Sequence, residues 1–213
     1  MKRSYFSSSI PEFCISNENT VLGELTSSEQ FDITTKTTFA WKEEISIMKS
    51  ALNDLEGYIH FEFVIPRMGK RVDVVLVINN VIFLIEFKVG SDSYDSSAIT
   101  QLMDYTLDLK NFHEGSHKNI LCPILIATEA ETKDFHLSIS KDEIYEPIIS
   151  NGNNLNDILK KTLSINSATN NDIDHDNWLN SSYKPTPNII EAAQALYEGH
   201  QVNEISRSDA GAT

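Results

Sequence analysis

Two apolar segments, residues 71–78 and 81–88, meet at an Asn79-Asn80 pair, and they constrain the fold more than any other part of this 213-residue chain. Both segments are rich in the β-branched and aromatic residues that favour strands. Because Asn tolerates positive φ angles, a two-residue hairpin turn is expected at the Asn pair. Most residues of the two strands are apolar, so both faces of the hairpin should be covered by other elements.

Beyond Arg71 at the first position, three charged residues interrupt these apolar strands: Asp73 lies in the first strand, and Glu86 and Lys88 lie in the second. If Ile78 pairs with Val81, the numbers of paired residues sum to 159, so Asp73 is expected opposite Glu86. The Cβ atoms of such a pair lie about 4.5–5.5 Å apart on one face of a sheet, and Lys88 shares that face. Two carboxylates and an ammonium are therefore expected side by side.

A pair of facing carboxylates is unfavourable on its own, because each negative charge raises the pKa of the other group. A divalent cation bound by the carboxylate oxygens removes this repulsion. An ammonium beside the ion is suited to orienting a water or neutralising a phosphate, which is the chemistry of metal-dependent phosphodiester hydrolysis. The alternative is a solvated hairpin face. The apolar neighbours, and the clustering of the charges away from the turn, favour the metal site.

The hydrophobic pattern also predicts the order of the other elements. A helix from Phe39 carries Glu44 on an otherwise apolar face. A helix between two buried strands implies a parallel crossover. The remaining predicted elements are a strand at 58–66, the crossover helix at about 97–112, strands at 120–128 and 143–150, and a helix at 154–164. The order αβββαβ predicts an α/β fold with a mixed sheet of four to five strands flanked by helices.

The composition limits the partners that the chain can bind. Its 17 Lys and Arg against 31 Asp and Glu give a net charge of −14, which argues against a broadly basic surface for nucleic acid. The two cysteines, Cys14 and Cys122, make no disulfide framework. The N-terminus lacks the apolar stretch of a signal peptide, and no segment has the roughly 18 apolar residues of a membrane span. A cytoplasmic protein without membrane association is expected.

Asp73, followed by Glu86-Phe87-Lys88 within a strand, resembles the motif of the PD-(D/E)XK nuclease superfamily, although no Pro directly precedes the aspartate. The predicted αβββαβ order is similar to the restriction-endonuclease-like core of that superfamily. The resemblance implies that Asp73 and Glu86 bind Mg²⁺ or Mn²⁺, that Phe87 offers its backbone carbonyl to the metal, and that Lys88 aids catalysis. Glu44 is similar to the helical glutamate that completes the metal shell in many members; a surface pair with a lysine is the alternative.

Gln101 and Tyr105 lie four positions apart, on one face of the predicted crossover helix. They resemble the Q-x-x-x-Y element of RecB-like and Cas4-like nucleases, which implies that they contact nucleic acid near the site. An ordinary helix surface is the alternative. The loop before the hairpin supplies three positive charges, Arg67, Lys70 and Arg71, which are expected to contact DNA phosphates locally.

Nearly the whole chain resembles the N-terminal part of bacterial nuclease–helicase fusions. The implied organisation is a nuclease-like domain at residues 1–164, followed at 165–213 by a linker and a Pro-started helix that lead to a helicase-type ATPase motor. The chain has no G-x-x-x-x-G-K-[ST] phosphate loop, so the motor is expected in cis in a longer protein or in trans. Hydrolysis of DNA in DNA processing or phage defence follows from this resemblance. The alternative is a catalytically inactive nuclease-like module that binds nucleic acid or mediates assembly.

Three further motifs have structural interpretations. The segment HEGSH, residues 113–117, matches the H-E-x-x-H zinc-protease signature, but Gly115 falls where the preceding helix should end. A polar helix terminus is therefore preferred there. His60 is expected in the core or at a sheet edge, and the acidic segment 172–178 is expected to be a solvated linker.

Overall fold

The computed structural model describes residues 3–28, 34–167, 172–187, 189–190 and 193–194, and it centres on a six-stranded β-sheet. Helices pack on both faces of this sheet. The strands are β1 (Phe6–Ser9), β2 (Tyr58–Ile65), β3 (Lys70–Ile78), β4 (Val81–Lys88), β5 (Ile120–Ala127) and β6 (Ile148–Ser150). The helices are α1 (Ile10–Ile15), α2 (Glu18–Ser28), α3 (Thr35–Leu52), α4 (Ser96–Phe112), α5 (Leu155–Ile165) and α6 (His175–Leu179), and a 3₁₀ turn spans Glu114–Ser116.

The sheet is mixed, as predicted: β1 to β4 run antiparallel in sequence order, and β5 and β6 run parallel to β4. Helix α4 carries the chain from β4 to β5, which confirms the parallel crossover. The sheet has six strands rather than four to five. The additional strand is β1, whose sequence Phe-Ser-Ser-Ser lacks the apolar alternation that predicts a strand. The strand predicted at 143–150 is restricted to its last three residues.

The β3–β4 hairpin forms around the predicted turn. Asn79 has a φ of 52°, the positive value that Asn tolerates in tight turns. The numbers of paired residues sum to 159 from the turn to the pair of Val74 and Ile85, which confirms the predicted register. The ladder ends at that pair, one step before Asp73 and Glu86. The expectation of a regular Asp73–Glu86 pair is therefore wrong, because the side chain of Asp73 bonds to β4 in place of its backbone.

Apolar side chains cover both faces of the hairpin, as predicted. The α3 layer is formed by one face of the sheet with α1, α2, α3 and α5. The α4 layer is formed by the other face with α4 and α6. Leu76 and Phe83 belong to the α3 layer, and Val75 and Leu84 belong to the α4 layer. In the described ranges, no helix combines the length and the apolar character needed to cross a bilayer.

Strands β2 and β3 exchange faces near the end of the hairpin that is remote from its turn. In β2, Phe61 packs in the α3 layer and Phe63 in the α4 layer, although residues two apart in a regular strand share a face. In β3, Val74 and Val72 are divided in the same way. Between the two phenylalanines, Glu62 has a φ of 53°, so the backbone of β2 turns over at this residue. The β2–β3 register is the same on both sides of the exchange.

The C-terminal part of the chain packs on the sheet more closely than predicted. Helix α6 overlaps the predicted solvated linker at 172–178, and its Trp178 is only 2% exposed in the α4 layer. The interpretation of 172–178 as a solvated linker is therefore wrong where α6 forms, because burial of the indole holds the segment on the sheet. The Pro-started helix predicted within residues 165–213 lies largely outside the described residues.

The HEGSH segment does not form a zinc-binding helix. Helix α4 ends at Phe112, as predicted, and a 3₁₀ turn follows, so His113 and His117 do not share a helical face. His113 is fully buried, and its ring nitrogens lie 2.7 Å from the Oγ of Ser116 and 2.8 Å from the Oγ of Ser181. These contacts make His113 a structural residue.

Candidate active site

A cleft of about 680 Å³ opens between the N-terminal half of α3 and the end of β4 with the loop that follows it. Helix α3 begins earlier than predicted, because the hydroxyl of Thr34 caps it by accepting a hydrogen bond from the backbone N–H of Thr37. The additional first turn forms one wall of the cleft. The lining includes four residues predicted for the metal site: Glu44, Asp73, Phe87 and Lys88.

Asp73 lies where β3 separates from β4. Its Oδ2 accepts a hydrogen bond of 2.7 Å from the backbone N–H of Phe87, so the side chain takes the place of a ladder partner. Burial raises the pKa of Asp73 well above its usual range, and the carboxylates of Glu86 and Glu44 raise it further. Asp73 and Glu86 are therefore neighbours even though they do not form a regular cross-strand pair.

Glu86 is nearly buried, and side chains from two elements orient it. Its Oε1 accepts hydrogen bonds of 2.9 Å from Lys88 Nζ and 2.8 Å from Gln101 Nε2. Its Oε2 is buried and has no hydrogen-bond partner among the described residues. Burial raises the pKa of Glu86, and the Lys88 ammonium acts in the opposite direction. The Lys88 side chain is 35% exposed, so its ammonium is held at the carboxylate while it remains accessible from the cleft.

Glu44, the predicted acid on the apolar face of α3, reaches the same cleft. It is 5% exposed, and its Oε2 has no hydrogen-bond partner in the described part of the chain. Burial raises the pKa of Glu44 to about 8, and the charges of Glu62 and Glu86 contribute to the increase. A buried carboxylate with an unpartnered oxygen is unfavourable unless it is protonated or a cation lies beside it.

A further acid, Glu62, lines the cleft, and it is not among the residues predicted for the site. Its Oε1 accepts a hydrogen bond of 2.8 Å from Trp41 Nε1, and its Oε2 accepts one of 2.7 Å from Arg71 Nε. Regular alternation would place Glu62 on the same face as the buried His60, in the α4 layer. The positive φ of Glu62 brings its side chain to the cleft instead. A glutamate within a strand-like pattern carries no sequence signal for that change.

Three of the acids lie at one level across adjacent strands. Extending the β2–β3 register places Glu62 opposite Asp73, and extending the β3–β4 register places Asp73 opposite Glu86. Both of these positions fall where the regular pairing is interrupted. Glu44 approaches the same level from α3, so carboxyl groups from four elements are concentrated at one point of the fold.

Gln101 and Tyr105 of α4 both lie beside Glu86. Gln101 donates a hydrogen bond to its Oε1. Tyr105 is 2% exposed, and burial, together with the charge of Glu86, raises the pKa of its hydroxyl to about 12. Gln101 thus supports the carboxylate from the α4 side, and Tyr105 is hydrogen-bonded to Gln101. Their contact with nucleic acid stays a prediction.

The three cations predicted to contact phosphates do not form one patch at the cleft. Arg67 donates a hydrogen bond of 2.8 Å to Asp108 and is not part of the cleft lining. Lys70 is exposed at the start of β3. Arg71 contacts a cleft residue, Glu62. The DNA contacts of all three residues stay a prediction.

The donor chemistry of the cleft suits a hard divalent cation. Carboxylate oxygens are the ligands that Mg²⁺ and Mn²⁺ prefer, and the buried Oε2 atoms of Glu44 and Glu86 have no partner among the described residues. Burial is the main cause of the raised pKa values of these acids and of Asp73, neighbouring carboxylates add to it, and a cation would offset both effects. Across the described ranges, no three Asp, Glu, His or Cys side chains come close enough together to form a ready-made metal site. A bound ion would therefore take its remaining ligands from waters or from the backbone, or bring a further carboxylate to it by rotation of a side chain.

Comparisons with protein-family models, curated proteins and solved structures find no match to this chain. The structure defines an α/β protein with a six-stranded mixed sheet flanked by helices and an acid-lined cleft at one end of its central hairpin. The geometry and the charges of that cleft are therefore the features that bear on function.

Proposed function

We propose that the chain is a metal-dependent nuclease domain that hydrolyses DNA phosphodiester bonds. One observation carries the proposal: Glu44, Asp73 and Lys88, which come from three different elements, line one cleft, and Glu86 lies beside it, 2.9 Å from Lys88 Nζ. Two of the buried carboxylates there have oxygens without a partner among the described residues. A buried carboxylate with incomplete hydrogen bonding is unfavourable in a purely structural cluster, and a bound cation would stabilise it.

Each side chain has a role that its contacts support. Asp73, Glu86 and Glu44 would hold Mg²⁺ or Mn²⁺, with the backbone carbonyl of Phe87 as a further oxygen ligand. When bound, the ion supplies a nucleophilic water and neutralises charge on the phosphate. Lys88, held 2.9 Å from Glu86, places its ammonium at the accessible side of the cleft, where it can contact a phosphate oxygen.

The order of elements around the cleft supports a restriction-endonuclease-like core. Helix α3 supplies one acid, strands β2, β3 and β4 follow, and helix α4 leads to β5, which corresponds to the αβββαβ order. In this proposal Gln101 orients Glu86. The net charge of −14 and the scattered cations give the domain a weak hold on DNA of its own. We therefore propose that a helicase-type motor, in cis or in trans, supplies most of the affinity for DNA. The pair would act in cytoplasmic DNA processing or phage defence.

The competing function is a nuclease-like module that binds nucleic acid or mediates assembly without cleavage. One observation favours it: no group of three potential metal ligands is preassembled in the described residues. The two functions differ in their affinity for a divalent cation, because the inactive module has no need of one. Titration of the metal-free protein with Mn²⁺ therefore distinguishes them.

The proposed activity is tested by cleavage of plasmid and single-stranded DNA in Mg²⁺ or Mn²⁺. We expect Lys88→Ala to lower the rate by about 100-fold or more, because a charge-stabilising group at the phosphate is lost. The matched control is Lys160→Ala, which removes another lysine that is paired with a carboxylate, Asp54, in a different part of the molecule. This control should cleave at the wild-type rate.

Equal cleavage by the wild type and Lys88→Ala would assign the activity to another site or to a contaminant. A wild-type protein that neither binds Mn²⁺ nor cleaves DNA would overturn the proposed function and favour the inactive module. Mn²⁺ binding that is lost in Asp73→Asn and retained in Lys160→Ala would locate the ion at the cleft.

A further inference from the structure

Glu62 has an unusual backbone conformation for a residue inside a strand. Its φ of 53° lies in the left-handed region, which is unfavourable for a side chain of this kind and occurs preferentially at functional sites. Its neighbours Phe61 and Phe63 are fully buried in opposite core layers, and this packing holds the conformation in place. The result is a carboxylate that faces the cleft rather than the α4 layer.

Both carboxylate oxygens of Glu62 are occupied by donors from different elements. Trp41, which donates to Oε1, lies on α3 one turn before Glu44. Arg71, which donates to Oε2, lies on β3 two residues before Asp73. Glu62 therefore connects the two elements that carry the acids on opposite sides of the cleft.

We propose that Glu62 is a positioning residue that ties α3 to β3 through Trp41 and Arg71 and thereby sets the affinity of the Glu44–Asp73 pair for a divalent cation. This inference rests on the proposed metal-dependent function. Direct ligation of the ion by Glu62 is disfavoured, because both of its oxygens already accept hydrogen bonds of 2.8 Å or less. Residues that orient metal ligands in this way commonly change metal affinity when they are replaced.

The test measures Mn²⁺ binding to the metal-free full chain by calorimetry, without DNA. We expect Glu62→Gln to weaken binding by about tenfold. The neutral amide has one acceptor oxygen in place of two, so it cannot accept hydrogen bonds from both Trp41 and Arg71 and has no charge to attract the guanidinium. Trp41→Phe removes the other donor and leaves the charge of Glu62 in place, and it should also weaken binding. The two effects should be less than additive in the double variant, because both act through one clamp.

The chain provides a matched control in Glu143. It also has a positive φ, 60°, and it pairs with a cation, Lys110, but it does not line the cleft. Glu143→Gln should bind Mn²⁺ with wild-type affinity. Thermal unfolding and near-UV circular dichroism of each variant verify that the fold is intact.

The outcomes separate this inference from the proposed function. Wild-type binding of Mn²⁺ that is unchanged in Glu62→Gln would overturn the positioning role and leave the nuclease proposal standing. If Glu62→Gln weakens Mn²⁺ binding but Trp41→Phe leaves the affinity unchanged, Glu62 contributes only its negative charge. That outcome would also overturn the positioning role. Absence of Mn²⁺ binding by the wild type would overturn both proposals.

Discussion

The acid-lined cleft and the surface beneath α6 are both built from buried titratable residues, but their hydrogen bonding differs. The histidine cluster consists of His60 and His113 beneath α6 and His175 at the start of that helix. Each of their ring nitrogens lies within 3.4 Å of a hydrogen-bonding atom. In the cleft, Glu44 and Glu86 each retain a buried oxygen without a partner among the described residues. In the described ranges, buried atoms without a partner also occur outside the cleft, at Asp108, His117 and Tyr183. The cleft differs because two carboxyl groups that interact with each other each have an oxygen without a partner there, which makes it the candidate binding site.

Burial acts on both regions in the same direction, toward the neutral form, but with different consequences. It lowers the pKa of His60 to about 3 and that of His113 to about 4, so both imidazoles are neutral at physiological pH. It raises the pKa of Glu44 to about 8, so this acid is held protonated at neutral pH unless a cation stabilises its charge. The cleft is therefore the region where a bound ion would lower the raised pKa of a buried acid and stabilise its ionised form.

The largest expected effect comes from Asp73→Asn. This change removes a proposed metal ligand, so DNA cleavage should fall by at least about 100-fold. In the metal-free protein, the free energy of unfolding should stay constant or rise by about 1 kcal/mol, because the variant is neutral where the wild-type carboxylate is disfavoured. Denaturation in guanidinium with a chelator provides the measurement. A large loss of stability would instead identify Asp73 as a structural residue, like the histidines.

The opposite pattern is expected for Trp178→Ala in the histidine region. Trp178 is buried against Phe63 and donates a hydrogen bond to Ser116, so its truncation should lower the free energy of unfolding by about 3–5 kcal/mol. Cleavage by the folded protein should stay within about threefold of wild type, because Trp178 does not line the cleft and its neighbour Phe63 remains enclosed in the α4 layer. Tyr58→Ala, at a more exposed aromatic on the same surface, is the control for a smaller effect. Selective loss of cleavage in Trp178→Ala would break the distinction between the two regions.

The histidine cluster should also make stability depend on pH. The pKa of His60 is about 3 in the folded protein and about 6.5 in the unfolded chain, so the unfolded state binds more protons between these values. Stability should thus decrease as the pH falls below about 6.5, by at most about 1.4 kcal/mol per pH unit for one histidine. His60→Gln should flatten this dependence. The exposed His136→Gln should retain the wild-type slope, and an unchanged slope in His60→Gln would refute the assignment.

The smallest expected effect on activity is that of His113→Ala combined with His117→Ala. Neither histidine is part of the cleft lining, so cleavage by the folded double variant should remain within about threefold of wild type. Loss of the buried His113 contacts should lower the melting temperature. Rates must be measured per mole of folded protein. Near-total loss of cleavage would show that the HEGSH segment contributes to the chemistry.

Local patterns were sufficient to predict the central hairpin. The Asn79 turn, the register to Val74–Ile85 and the covered faces all follow from period-two alternation and a short turn, which are properties of neighbouring residues. The same reasoning did not predict β1, whose Ser-rich strand depends on the edge that β2 offers. It also did not predict α6, which is a helix of five residues stabilised by the burial of Trp178.

By itself, the sequence determined which acids and which lysine lie near the end of the hairpin, because residue spacing along paired strands converts directly into position. Only the tertiary structure decided that Asp73 bonds to the backbone of Phe87 and that Glu62 joins the cleft. Both outcomes accompany the exchange of faces in β2 and β3, where apolar residues two positions apart pack in opposite core layers. This packing depends on helices that are distant in the chain, so it leaves no periodic signal in the sequence around Glu62.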